Sequence, residues 1–335
     1  MMPEQILGIS GVALQIAYLL AGVGLLWIGA DLLVKNASQF ATAVGVSPIV
    51  VGLSVVSLGT SAPELVVSIM AAVQHSAGLS VGNIIGSNIA NIGLILGVGA
   101  IITPLNVEKS WVKREVPFMI AVTLVFALIA YRGYELNQVD GIMLLALMIG
   151  FVFYLGRYAH KEMNEFKEIQ RELLHQNGSD VRMASWMKKL GYLLGALLGL
   201  AVLILGSNIT VTSGKTLALM MGVSDMIIGL TLIAFGTSLP ELATTVVGAI
   251  RKETDIVVGN VIGSNIFNLL LIGGIVSLIH PVAIQKNLFF INIPMLIFTS
   301  LIVLPIMRFK LNIQRYEGIF LLMVYILFIY LTFRA

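Results

Sequence analysis

The chain has 335 residues, of which 58% are apolar and only 11% charged, with a formal net charge of +3 and no cysteine. The charged fraction is under half the roughly 25% of a soluble domain, and with a mean hydropathy of +0.98 it excludes an ordinary soluble domain in favour of membrane helices. Without cysteine there is no disulfide, thiolate metal site or cysteine nucleophile, and with no soluble basic domain the small positive charge points to membrane loops rather than nucleic acid.

The first apolar run begins without a basic n-region, since Met1 to Ser10 carry one Glu and no Lys or Arg. It reads as a retained helix rather than a cleaved signal peptide. Ten spans follow in chain order, at about 11–34, 47–73, 79–102, 115–132, 138–157, 188–211, 225–250, 256–279, 288–307 and 316–333. The runs are about 20 residues long and do not alternate, so they fit an all-α polytopic bundle rather than a barrel. A polar stretch from Arg157 to Lys189 separates five spans from five. Within it Lys161 and Glu165 lie four apart, the spacing of a short solvated helix. The expected organisation is a first five-helix repeat over 1–157, a cytoplasmic linker over 158–187 and a second five-helix repeat over 188–335.

The two halves share one register. Gly-Thr-Ser-Ala-Pro-Glu-Leu at 59–65 recurs as Gly-Thr-Ser-Leu-Pro-Glu-Leu at 236–242, an offset of 177. Gly82-Asn83 to Ser87-Asn88 and Asn91 recur at Gly259-Asn260 to Ser264-Asn265 and Asn268, with the same offset of 177. It also links Gly29 with Gly206, Pro104 with Pro281, Pro117 with Pro294 and Asp140 with Glu317. Five is odd, so the second half must enter the membrane upside down relative to the first. That is an inverted-topology repeat, an architecture of secondary transporters. Loop charge agrees. With loops assigned alternately to two sides, only Arg132, Lys215, Lys286 and Arg334 of the 20 Lys and Arg fall on one of them. The positive-inside rule makes the other side cytoplasmic, so both termini are expected outside and the central linker inside.

Glu64 and Glu241 are the central observation. Each sits in an apolar span with no basic residue near it in sequence. A carboxylate at that depth costs several kcal/mol unless it is neutralised, and bound cations or protons are what remain to do so. Ser57, Thr60, Ser61, Glu64 and Ser68 step by three and four along one helix face, and Ala234, Thr237, Ser238, Glu241 and Thr245 repeat the pattern. Pro63 and Pro240 crowd the carbonyls of Gly59 and Gly236 and can turn backbone oxygens toward an ion. Asn83, Ser87 and Asn91 share a face, as do Asn260, Ser264 and Asn268, while Asn88 and Asn265 point off it and suit bracing between helices. All of these are hard oxygen donors, which suit sodium and calcium and not zinc or copper. One calcium balances two carboxylates, and so do two sodium ions. Protons also could, since burial favours the neutral acid. Asp31 and Glu115 fall near span ends, where snorkelling or capping accounts for them.

These motifs resemble the calcium/cation antiporter superfamily, and its sodium/calcium exchanger branch in particular. The resemblance covers nearly the whole chain. It implies that Glu64 and Glu241 are the carboxylates shared by calcium and sodium. It implies that Thr60, Ser61, Thr237 and Ser238 supply hydroxyl and carbonyl ligands, chiefly for sodium. Ser87, Asn91 and Ser264 correspond to further ligands, and Ser57 and Ala234 to positions lending backbone oxygens. Asn268 stands where some members carry Asp and where potassium-dependent exchangers rely on an acid, which argues against potassium dependence. The proton/calcium branch usually has an acid in its Gly-Asn motif, where this chain has Ser87 and Ser264. The resemblance further implies alternating access, with the first and sixth spans sliding against the other eight on Gly-rich stretches, Gly22 to Gly29 and Gly195 to Gly206. It implies a functional monomer without cofactors, whose partners are Ca2+, Na+ and the lipid bilayer, placed in the plasma (inner) membrane.

Two readings from other classes compete. A cation channel would use the same oxygens without an obligatory counter-ion. An intramembrane enzyme would need an Asp pair, a Ser–His pair or a His-rich motif, but the four His (His75, His160, His175 and His280) fall at loops or span ends. The fold could also exchange other ions, as a cation/proton or potassium-dependent antiporter.

Overall fold

The computed structural model describes residues 2–177, 186–221, 234–283 and 286–334. In lipid every backbone polar group must be satisfied internally, and these apolar runs are accordingly helical almost throughout. In chain order they are α1 (Met2–Val44), α2 (Pro48–Thr60), α3 (Ala62–Val73), α4 (Gly78–Ile102), α5 (Lys109–Gly133), α6 (Gln138–Asn177), α7 (Trp186–Met220), α8 (Ala234–Thr237), α9 (Leu239–Ile250), α10 (Thr254–Ile279), α11 (Lys286–Lys310) and α12 (Arg315–Arg334). Among the described residues eight helices are long and apolar enough to cross a membrane, and α2 with α3, bent by 42°, makes up to nine. The molecule is an all-α polytopic membrane protein. Of the expected span at 225–250, residues 225–233 lie outside the described ones.

The helices at the centre are α4 and α10, each mostly buried, whereas α1, α7 and α12 show most of their surface to lipid. The chain ends two helices early in left-handed turns at His75 (φ 57) and Tyr134 (φ 53), and repeats both turns 177 residues later at Lys252 (φ 61) and Leu311 (φ 52). The short strands behave the same way. Leu105–Asn106 pairs antiparallel with Asn312–Ile313, and Glu135–Leu136 with Val282–Ala283, each half thereby pairing with the other. Helix contacts are reciprocal too. A Cβ at Gly141 would stand 2.8 Å from the Gly274 carbonyl oxygen, and one at Gly318 2.6 Å from that of Gly97. Each of these contacts between halves is thus answered by a second one with the roles exchanged.

α1 and α7 lie along one another from Gly11 beside Met220 to Asn36 beside Gly195. Gly22, Gly29, Gly199 and Gly206 face the opposing backbone so closely that a Cβ on any of them would meet it at 2.4 to 2.8 Å. Small residues that let backbones approach are the usual means of packing helices in lipid, where the hydrophobic effect drives nothing.

The polar stretch after 157 differs from a plain linker. α6 continues unbroken to Asn177, carrying the exposed Lys161–Glu165 pair at 3.6 Å, so the expected boundary at 157/158 falls within a helix. This extension is docked. Glu162 accepts from the Ser47 backbone N–H (2.9 Å) and from its hydroxyl (3.1 Å) at the start of α2, and Phe166 lies against Gly45, whose φ of +86 requires glycine. The expected helix ends near Asp31 and Glu115 also differ. α1 runs on past Asp31 to Val44, and Asp31 pairs with Arg251 at the end of α9. Glu115 neither snorkels nor caps. It is buried and accepts from the Tyr154 hydroxyl at 2.9 Å, because α6 packs its ring over the start of that helix.

Candidate functional site

The two Gly-Thr-Ser-x-Pro-Glu motifs break their helices at the same place. Ser61 (φ −79, ψ 6) and Ser238 (φ −86, ψ 6) fall out of helical geometry, and Pro63 and Pro240 stand in the first turn of the helices that follow. Proline removes one backbone donor and is tolerated in a first turn, where that donor has no intrahelical partner. α2 carries in addition a π-helical turn, Gly52–Val56, just before the motif. π-helical turns also begin at Asn91 and at Asn268, running over Asn91–Leu96 and Asn268–Ile272. Such turns leave carbonyls poorly paired and concentrate at functional sites.

The breaks bring the halves together. The Ser61 hydroxyl donates to Glu241 Oε1 at 3.2 Å, and the Ser238 hydroxyl to Glu64 Oε1 at 3.1 Å. Each serine lies one turn from its own glutamate, so the crossing sets both carboxylates within about one helical turn of each other. Glu64 and Glu241 are each only 1% exposed. Their second oxygens, Oε2, are buried with no hydrogen-bond partner among the described residues. The ion pairs found among those residues join Arg132 with Asp140, Lys161 with Glu165 and Arg251 with Asp31, and none touches either glutamate. The pair is therefore compensated by hydroxyls alone, far less than two buried charges require.

Around them the predicted residues fall into place unequally. Thr60 donates to Asn260 Oδ1 at 3.1 Å, and Thr237 to Asn83 Oδ1 at 3.2 Å, again reciprocally. Ser87 Oγ lies 3.4 Å from Ser238 Oγ, at the edge of the Glu64 carboxylate. Asn91 donates to Asn265 Oδ1 at 3.2 Å and leaves its own Oδ1 unpartnered. Ser264 Oγ and both polar atoms of Asn268 are buried and unpartnered among the described residues. Ser57 turns its hydroxyl back to Leu53 O at 2.6 Å, and it packs against Gly263, where a Cβ would stand 2.4 Å from the Ser57 Oγ. Ala234 opens α8, so its backbone stands one turn before Thr237.

Two residues outside the predicted ligand set hold the crossing in place. Asn83 donates to the Glu64 carbonyl at 3.2 Å and to Ser68 Oγ at 2.9 Å while accepting from Thr237, which ties α3, α4 and α8 together. Asn260 takes the counterpart bond from Thr60, but its Nδ2 and the hydroxyls of Thr244 and Thr245 have no partner among the described residues. Their repetition at one offset was the available signal. Asn265 braces between helices as expected, bonding Asn91 and the Met119 sulfur, whereas among the described residues Asn88 donates only to Ile84 O within its own helix, an amide turned back on its own backbone rather than across to a neighbour.

Comparison with known proteins bears on this arrangement. The family described as "Sodium/calcium exchanger protein" matches the chain twice, over residues 14–157 and 191–334, the second match displaced by 177. The sodium/calcium exchanger MaX1 of Methanosarcina acetivorans is 34% identical, the match covering 94% of this chain and 97% of that protein. The inner membrane protein YrbG of Escherichia coli is 37% identical over 80% of this chain and 81% of its own length. Among solved structures, the sodium-calcium exchanger NCX_Mj superposes with a TM-score of 0.80 at 34% identity, covering 95% of this chain and 98% of that one.

Proposed function

The chain belongs to the sodium/calcium exchanger protein family, whose members are cation antiporters rather than enzymes, and from that premise we propose that it exchanges Na+ for Ca2+ by alternating access through the Glu64–Glu241 crossing. The observation that carries the reading is the reciprocal pair of Ser–Glu bonds, with one buried oxygen of each carboxylate left over. Two negative charges without a basic partner ask for two positive ones. One Ca2+ supplies them, and so do two Na+, while the unpartnered oxygens of Ser264, Asn91 and Asn268 leave donors for another. A site neutralised by either ion set, but too small for both, couples the two fluxes.

In this reading the ligands are Glu64, Glu241, Thr60, Ser61, Thr237, Ser238, Ser87, Asn91, Ser264 and Asn268, with backbone oxygens from Ser57 and Ala234. Ten spans form two inverted halves, 1–157 and 188–335, joined by a cytoplasmic linker over 158–187, with both termini outside. The glycine seam between α1 and α7 is where the sliding occurs. The protein works as a monomer in the plasma (inner) membrane, where YrbG, by its name, also resides. If more sodium than calcium charge moves per cycle, voltage biases the direction by about 2.3 kcal/mol per net charge per 100 mV.

The test is radiocalcium uptake into proteoliposomes preloaded with sodium. Uptake is expected to vanish when the sodium gradient is removed, and in Glu64→Gln and Glu241→Gln proteins that still elute as folded monomers. Uptake indifferent to sodium would indicate a channel, and uptake driven by a proton gradient or dependent on potassium a different ion pair. Full transport by both Gln variants would remove the site assignment.

A further inference from the structure

We propose that His75 and His280 form a binding site for a borderline divalent transition metal such as Zn2+, Ni2+ or Cu2+, at the end of the bundle where α3 and α10 finish. The two imidazoles come from opposite halves of the chain and meet with ring centroids 4.6 Å apart and planes at 76°. A metal bound to an imidazole nitrogen at about 2.0–2.1 Å lies roughly 3.2 Å from the ring centroid. With an Nε2 of each ring turned toward a shared ion, two centroids 4.6 Å apart, here edge to face, would subtend about 90° there, the cis angle of square-planar or octahedral coordination, which Cu2+ and Ni2+ favour.

The protonation of one ring is set by its neighbour. His280 Nδ1 lies 2.7 Å from the Pro281 carbonyl oxygen. A carbonyl only accepts, so Nδ1 carries the hydrogen and the neutral ring keeps its lone pair on Nε2. Metal-binding histidines are oriented by this outer contact. His75 is held by its backbone. Its N–H bonds Ala72 O at 3.0 Å and the next N–H bonds Ala71 O at 2.8 Å, closing the left-handed turn, while its side chain is exposed.

The pair is not a by-product of the repeat. At the same offset of 177 the matching positions are Lys252 and Thr103, a cation and a hydroxyl that offer no imidazole. The site thus exists at one membrane face only. Its chemistry is orthogonal to the all-oxygen crossing between the glutamates: imidazole selects Zn, Cu and Ni, and carboxylate and carbonyl oxygens select Ca. An ion here would join α3, which carries Glu64, to α10, which carries Ser264 and Asn268, and so restrain the helices around the crossing. The binding itself does not rest on the transport reading.

The experiment is isothermal titration of the purified, untagged full chain with Zn2+ or Ni2+ alone. One ion per chain is expected. His75→Ala and His280→Ala are each expected to weaken binding by more than the roughly 10–100-fold that loss of an outer contact costs, whereas excess Ca2+ leaves it unchanged. Diethylpyrocarbonate labelling of the unmodified protein provides the check free of variants: Zn2+ should protect His75 and His280 together, as mapped by mass spectrometry. Equal affinity in both variants, displacement by Ca2+, or labelling of both histidines unaffected by metal would overturn the proposal.

Discussion

Replacing Gly29 by Ala tests whether the α1–α7 seam is as tight as its backbone geometry indicates. The new Cβ would stand 2.4 Å from the Leu203 nitrogen, 2.7 Å from its Cα and 2.8 Å from the Gly199 carbonyl oxygen. Ordinary contact begins near 3.4 Å, so the opposing helix must retreat by the difference, about 1 Å, and since every opposing atom is backbone no side chain can rotate away. A gap of that size forfeits a quarter to a half of each dispersion contact beside it, here those of the buried Leu26, Ala30, Leu33 and Leu203. Overpacking of this kind costs about 1–3 kcal/mol, and the upper half of that range is expected. Gly24 is the internal control, because a Cβ there meets nothing within 4 Å. Gly24→Ala should be neutral or stabilise by up to about 1 kcal/mol through helix propensity.

The assay is the denaturation midpoint of the two purified variants in one detergent, with sodium-dependent calcium flux measured alongside. Gly29→Ala should unfold well below the parent and Gly24→Ala at or above it. Equal midpoints for the two would refute the claim that backbone contact sets the seam.

Glu115→Gln should retain the parent's flux and its stability to within about 1 kcal/mol, since the amide oxygen still accepts from Tyr154 and a carboxyl with an unpartnered Oε2 is removed. Loss of flux would instead place Glu115 in the ion path. Glu162→Ala removes the carboxylate bound to Ser47 and should cost about 0.5–2 kcal/mol, like other lost helix caps. Hydrogen exchange should then quicken at the start of α2, and an unchanged rate there would count against the docking. Arg251→Gln breaks the half-exposed pair with Asp31 and should cost only about 0.2–1 kcal/mol, less than Gly29→Ala in the same denaturation assay.

The register of the two halves was fully legible in the sequence, because Gly-Thr-Ser-x-Pro-Glu and Gly-Asn-x-x-Gly-Ser-Asn fix positions that no side-chain exchange in lipid-facing segments could mimic. Ser61, Ser238 and the two glutamates were read as neighbours on a face, but that each serine bonds the other half's glutamate is a tertiary fact that no within-helix spacing encodes. The π-helical turns at Gly52, Asn91 and Asn268 were invisible for a related reason. They shift the helix phase by a fraction of a turn, and no residue type marks them. The charges after 157 indicate a short solvated helix at Lys161 and Glu165 but not its extent, because a solvated helix and a loop share composition. The docking of Glu162 and Phe166 on the Gly45–Ser47 turn, about 115 residues earlier, holds the first turns of this extension in place, a tertiary contact that composition does not encode. Glu115 was misread because its partner, Tyr154, lies on the next helix.

The reciprocity of the crossing explains why a duplicated chain has one such constellation and not two. Each half carries a complete Gly-Thr-Ser-x-Pro-Glu motif, yet in neither half does the serine serve its own glutamate: Ser61 turns to Glu241, and Ser238 to Glu64. The threonines do likewise, Thr60 reaching Asn260 and Thr237 reaching Asn83. A half standing alone would bury a carboxylate, a threonine hydroxyl and an asparagine oxygen without these partners, at a cost of about 1–3 kcal/mol for each unsatisfied group and more for the charge. The two halves thus stabilise each other through the same bonds that shape the crossing. The symmetry is also incomplete where it matters chemically. Asn83 is bonded at both ends of its amide, whereas Asn260, Ser264 and Asn268 keep donors or acceptors without a partner among the described residues. Among the described residues the second half therefore contributes most of the uncommitted polar atoms around a pair of charges to which both halves contribute equally.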